Sequence, residues 1–142
     1  MTTQTTGHSA EQAIANAMDT LREAYQQKDA ALATSFYAKD GQYALFDIMP
    51  PLVDAGFDRL LEKTREFFDA TEGPIELEVT DRHVAVSDSL AYLRGLMKAT
   101  ARFKDGRPIA SVTRYTLIFQ KVGNDWLVIH EHNSLPAEAL AF

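Results

Sequence analysis

The sequence predicts an α+β domain in which three helices near the N-terminus pack in a strongly curved, mostly antiparallel β-sheet. Three observations carry this. Up to about residue 70 the apolar residues recur with helical spacing; beyond Gly73 and Pro74 they alternate with period two; and short turn sequences separate the alternating segments. Helices on one face of hairpin-linked strands form a layered arrangement that buries both apolar surfaces. Of the 142 residues, 46% are apolar and 24% charged, which is the mix of a folded domain rather than a disordered chain.

Residues 1–9 are small and polar and read as a disordered tail, leaving one domain over 10–142. Ser9 and Gln12 have capping-box spacing, and Ile14, Ala17, Met18, Leu21, Ala24 and Tyr25 follow on one helical face, so the first helix should run from about 10 to about 27. Asp29 can cap a second helix through "AALATSFYA", which the chain leaves at Asp40-Gly41. "QYALFDI" reads as a strand closed by "MPP", because proline supports neither a helix interior nor a ladder. After Asp54 or Gly56 comes a third helix, "FDRLLEKTREFFDA", with Phe57, Leu60, Leu61, Thr64, Phe67 and Phe68 on its apolar face.

In "PIELEVTDRHVAVSD", Ile75, Leu77 and Val79 face one way and Glu76, Glu78 and Thr80 the other. "SLAYLRGLMKATARF" is the next strand, "KDGRP" a turn, "ASVTRYTLIFQKV" a third strand, "GND" a turn, and "WLVIHEHNS" the last strand. The final two offer large side chains to both faces while the helices cover only one, which predicts a homodimer through the outer sheet face.

Fourteen Lys plus Arg against twenty Asp plus Glu give a net charge of −6, and no basic cluster is present, so nucleic acid and anionic membrane are poor partners. The absence of cysteine removes disulfides, thiolate nucleophiles and zinc–thiolate sites. No apolar run approaches the roughly 20 residues of a membrane span. "MTTQTTGHSA" lacks the regions of a signal peptide, so a cytoplasmic location is expected. No glycine-rich phosphate loop or GxSxG is found, and no cofactor is expected. His130/Glu131/His132 and Asp81/His83 are the metal-like spacings, but a third ligand is not nominated, so no metal is expected and the histidines are read as packing beside Trp126.

Three helices, a strand ending "FDIMPP", and strands carrying "AYLRG", "TRYTLIFQKV" and "WLVIHEHNS" together resemble the NTF2-like superfamily. Within it the sequence resembles SnoaL-like and ketosteroid-isomerase-like proteins, and its last two strands also resemble the association domain of calcium/calmodulin-dependent kinase II. The resemblance covers roughly residues 10–136. It implies a cone whose bent sheet wraps the helices and leaves an apolar pocket at the wide end. Members include isomerases, dehydratases, hydrolases, cyclases and proteins that only bind or assemble, so the fold does not choose the function.

Alternation divides the last strand into Trp126, Val128, His130 and His132 on one face and Leu127, Ile129, Glu131 and Asn133 on the other. The resemblance assigns the second set to the pocket, since the association domain's pocket arginine falls at Asn133 and the isomerases' apolar pocket residue near Ile129. The histidines then look outwards. Asp47 stands where the isomerases carry their acidic general base; the alternative is a turn-capping aspartate before Pro50-Pro51. Arg94 and Arg114 match pocket arginines of the association domain. Buried arginines need partners, so Asp47, Arg94, Arg114 and Glu131 are expected in one charge network. That network either clamps a small anionic ligand or pairs internally. Tyr25, Tyr37, Tyr43 and Tyr92 could donate hydroxyls into the cavity. Two functions follow from different classes: proton-transfer chemistry of isomerase, dehydratase or hydrolase type on a small, partly apolar molecule with Asp47 as acid/base, or non-catalytic ligand binding and assembly.

Overall fold

The first helix, α1 (Thr2–Gln27), turns Ala10, Ile14, Ala17, Met18, Leu21 and Ala24 to the core. The computed structural model describes residues 2–137, with side chains from Ser9 onward. The expected helix start at about residue 10 is corrected: α1 is already helical from Thr2, since elongating a helix costs far less than nucleating one. Met1 of the expected tail, and residues 138–142, lie outside the described residues. Lys28 ends α1 with φ of 56°, the left-handed conformation common after a helix. Its ammonium caps the carbonyl of Thr71 at 2.7 Å.

Asp29 caps α2 (Ala30–Ala33) by accepting from Leu32 N at 3.0 Å. The helix is shorter than "AALATSFYA" suggests. Thr34 bonds back to the carbonyls of Ala30 and Ala31, and Tyr37 then leaves to bridge Val128. The strand expected over "QYALFDI" is likewise confined to β1 (Ala44–Phe46), which pairs with β2 (Asp54–Ala55) across a loop. Gly56 then leads into α3 (Phe57–Ala70), which buries Leu60, Thr64 and Phe68. Tyr25 and Phe68 lock α1 to α3 edge-to-face, centroids 4.9 Å apart.

The four long strands are β3 (Glu76–Val86), β4 (Leu90–Arg102), β5 (Pro108–Val122) and β6 (Asp125–Ser134). They meander as antiparallel neighbours, and β1 adds to β6 in parallel, giving the order β2-β1-β6-β5-β4-β3. This is the expected α+β architecture. The inner face is lined by Leu77, Val79, Ala91, Leu93, Tyr115, Leu117, Phe119, Trp126 and Val128.

Two bulges shift the phase of the alternation. On β3 one extra residue lies between Thr80 and His83, where Asp81 takes φ of 53°. Leu77 and Val79 face inwards before it, Val84 and Val86 after it. Gly95 lies opposite, where an added Cβ would stand 2.7 Å from the Thr80 carbonyl oxygen. On β6, Phe119 pairs with Val128 but Ile118 with His130, so Ile129 is the extra residue. The single alternation expected along this strand is therefore corrected. Trp126 and Val128 belong to the core, not to the histidine face.

Candidate functional site

The bulge at Ile129 delivers Glu131 to the inside of the sheet, where it is only 8% exposed. Its strand neighbours are Leu45 of β1 and Leu117 of β5, both buried. Two tyrosines reach it from the segment before β1. Tyr37 donates its hydroxyl to Oε1 at 2.7 Å, and Tyr43 donates to the same oxygen at 3.3 Å. Asn133, next inward on β6, donates Nδ2 to Oε2 at 2.8 Å. Backbone bonds fix the tyrosines: Val128 N donates to Phe36 O and Ala38 N to Val128 O on either side of Tyr37, while Gly56 N donates to Tyr43 O.

Burial pushes the Glu131 carboxyl pKa above its ordinary value, and nearby Asp47 adds to the rise; the bonds from Tyr37, Asn133 and Tyr43 oppose it without cancelling it. Burial, then the Glu131 charge, raises the hydroxyls of Tyr25, Tyr37, Tyr43 and Tyr115 as well, so all four remain O–H donors. Among the described residues, two buried side-chain polar atoms have no partner: Tyr115 Oη and Asn133 Oδ1. The Tyr37 hydroxyl lends Tyr115 slight support but lacks the geometry of a hydrogen bond to it. Tyr115 and Asn133 are direct cross-strand neighbours, two register positions along from the Leu117–Glu131 pair.

Asp47 follows β1, two residues past the Leu45 that is in register with Glu131. Its Oδ1 accepts from Ile48 N at 2.8 Å, and its Oδ2 pairs with Lys63 Nζ of α3 at 2.8 Å. Lys63 also holds Asp54 at 2.7 Å, and Arg59 reaches Asp54 at 3.2 Å. Burial works to lower the Lys63 pKa and is the largest influence on it, yet Asp47 and Asp54 together raise it. The bond from Lys63 holds the Asp54 carboxyl below its ordinary value.

The site residues expected from the sequence thus separate. Tyr43, Glu131 and Asn133 come together, with Asp47 close enough to act on Glu131. Tyr92, Arg94, Arg114 and Ile129 do not join them. Leu93 and Tyr115 point inwards, so Arg94 and Arg114, one residue away on each strand, point outwards and are exposed. Arg114 donates to Ser134 Oγ at 3.0 Å on the surface, and neither arginine pairs with Asp47 or Glu131. The expected four-charge network is corrected accordingly; its carboxylates are served instead by Lys63 and by tyrosine hydroxyls. Tyr92 is exposed beside His83 at 6.2 Å. Ile129, as the bulge residue, stands outside the apolar core. His130 and His132 face outwards, each with its ring edge-to-face against Phe46. Among the described residues no group of three or more His, Cys, Asp or Glu could hold a metal.

The sequence reading missed Tyr115, Lys63 and Asp54. Tyr115 alternates with Leu117 and Phe119, which is signal enough for an inward position. Arg59 and Lys63, one helical turn apart, share a face of α3 that meets the strand ends. Two grooves of about 190 and 270 Å³ lie elsewhere, between α1 and the β3–β4 side. Carboxylates and cations line both, and neither touches Glu131.

The model of the SnoaL-like domain matches residues 14–138. The chain belongs to the SnoaL-like domain family. Solved structures share the fold of this SnoaL-like domain. An NTF2-like protein of unknown function from Pseudomonas putida KT2440 has a TM-score of 0.78 and 24% identity over 92% of this chain and 89% of its own. A proposed calcium/calmodulin-dependent protein kinase II association domain from Xanthomonas campestris has 0.74 and 24% over 89% and 87%. A proposed dehydratase of the NTF2-like family from Streptomyces avermitilis has 0.75 and 19% over 90% and 96%. No curated protein matches the chain. Among the described residues no helix is long and apolar enough to cross a membrane.

Proposed function

We propose that this SnoaL-like domain binds a small, partly apolar, uncharged molecule at the Glu131 end of the sheet and transfers a proton on it, as isomerases and dehydratases do. The observation that carries this reading is the contrast between two neighbouring carboxyls. Asp47 is ion-paired with Lys63, whereas Glu131 is buried among hydroxyls and pushed towards its neutral form. One carboxyl paired with a cation and another buried among hydroxyls suit opposite roles in acid–base chemistry.

Asp47 takes a proton from the carbon beside a carbonyl, becoming the neutral acid and leaving an enolate. Tyr115, whose hydroxyl has no partner among the described residues, donates to the enolate oxygen. A neutral Glu131 leaves that oxygen unrepelled. Asp47 returns the proton to another carbon, and the balance needs no cofactor. An anionic ligand is disfavoured because Arg94 and Arg114 lie on the outer face and two carboxyls flank the site. Ile48, Met49, Leu52 and Val53 are exposed beside Asp47 and offer an apolar rim.

A second reading, ligand binding without turnover, is favoured by Lys63. Lys63 occupies Asp47 Oδ2 at 2.8 Å and the Ile48 amide occupies Oδ1, so neither oxygen is free of a partner. The two readings separate in D₂O. Small ketones with acidic α-protons are mixed with the protein and followed by proton NMR. Catalysis gives deuterium uptake that is lost in a folded Asp47→Asn variant. Ketones that raise the melting temperature without exchanging support binding alone.

The same proposal includes a homodimer across the outer sheet face. It is supported by exposed Leu90, Tyr92, Val112 and Val122 on the side that the helices leave uncovered. Light scattering showing a monomer at micromolar concentration would remove it.

A further inference from the structure

Taking the Glu131 end to be a ligand site, the hydrogen-bond inventory around it constrains what can bind. A carboxylate accepts only, and ionised Glu131 is served by Tyr37 and Tyr43 on Oε1 and by Asn133 Nδ2 on Oε2. Asn133 Oδ1 is then left over, a buried acceptor with no partner among the described residues, and the hydroxyl of its cross-strand neighbour Tyr115 is likewise unpartnered. Neutral Glu131 must carry its proton on one oxygen. Two hydroxyl donors already approach Oε1, so the proton goes to Oε2, where Asn133 Nδ2 would oppose it donor to donor. Half a turn about the terminal amide torsion, which is broad and two-fold, relieves this. Oδ1 then accepts from Glu131, and Nδ2 becomes the atom left over.

We propose that Asn133 is the specificity-determining residue of the site, presenting an acceptor to a ligand hydroxyl when Glu131 is ionised and a donor to a ligand carbonyl when Glu131 is neutral. Tyr115 serves both ligands, since a hydroxyl donates to either oxygen. A carbonyl meeting Oδ1, or a hydroxyl proton meeting Nδ2, would leave a buried polar group unpaired, and that mismatch creates the preference. The groups facing Glu131 are Tyr25 of α1, Tyr37 and Tyr43 before β1, Asp47 after it, Tyr115 of β5 and Asn133 itself. Among the described residues no cation is one of them; Lys63 pairs with Asp47 and Asp54.

The test titrates the full chain by NMR with two probes of one shape, cyclohexanone and cyclohexanol. The Glu131 side-chain carbon and the Asn133 side-chain amide are followed together. Without ligand, the amide resonances should move at the midpoint of the Glu131 titration, and stay still in Glu131→Gln. The ketone-to-alcohol affinity ratio should rise about tenfold as pH falls through that midpoint, and lose its pH dependence in Asn133→Ala. An amide that ignores the Glu131 titration overturns the switch while leaving the ligand site standing. So does a ratio that stays constant while both probes bind. If neither probe disturbs Tyr115 or Asn133, the ligand-site reading fails and this inference falls with it.

Discussion

The hydroxyl of Tyr37 donates to Glu131 Oε1 at 2.7 Å, joining residues 94 positions apart in the chain. Both are almost wholly buried, and neither could be so alone without an unpaired polar group. Tyr37 reaches this position because its backbone bridges Val128, and Glu131 because the bulge at Ile129 turns β6 over just before it. One local irregularity therefore places the carboxyl, and one isolated bridge places its main donor. Tyr43, Tyr115 and Asn133 fill in around that pair.

A raised carboxyl pKa has a signed consequence for stability. Folded Glu131 keeps its proton where the unfolded chain has lost it, so the folded state binds more protons above the ordinary glutamate range. Stability should fall as pH rises from that range to the raised folded value, at no more than about 1.4 kcal/mol per pH unit. Glu131→Gln should remove this slope in denaturant titrations. Asp54 has the opposite sign: its contribution is present above the ordinary aspartate value and is lost as pH falls through its lowered folded value. The two effects occupy separate pH windows.

Lys63 joins α3 to both sides of the β1–β2 loop. Lys63→Met should leave Asp47 and the nearly buried Asp54 without their ammonium and lower stability by about 2 kcal/mol, between the values for exposed and buried pairs. Asp47→Asn should cost less, because Asp54 still holds Lys63. Thermal melts of the two variants check this order.

Much of the fold is legible in the sequence, because long runs of regular periodicity specify their own faces. Ile14, Met18 and Leu21, and later Leu77 with Val79 and Leu93 with Tyr115, all bury as their spacing requires. The site is less legible because it depends on exceptions to that regularity. No residue type announces the bulge at Ile129, so unbroken alternation sends Trp126 and Val128 to the wrong face. The arginines fail for a different reason. Alternation with Leu93 and Tyr115 sends Arg94 and Arg114 outwards, and the family resemblance that places them in a pocket runs against that local pattern. The partners of Asp47 and Glu131 come from α3 and from the segment around Tyr37 and Tyr43, contacts that only the tertiary fold creates.

Because both arginines are exposed and carry no carboxylate partner among the described residues, Arg94→Met and Arg114→Met should each change stability by no more than about 0.5 kcal/mol. Chemical denaturation gives the value. A loss several times larger in either variant would mean that the arginine is buried and paired after all.

The central claim is that Glu131 is a buried carboxyl held towards its neutral form beside an ion-paired Asp47. Its most direct test is a pH titration of the Glu131 side-chain carboxyl carbon by NMR, assigned by comparison with Glu131→Gln and repeated in Tyr37→Phe. The account predicts a midpoint above the ordinary glutamate range, shifting higher still when the Tyr37 donor is removed. A midpoint at or below the ordinary range would contradict it, since Glu131 would then be an ionised acceptor satisfied within the fold.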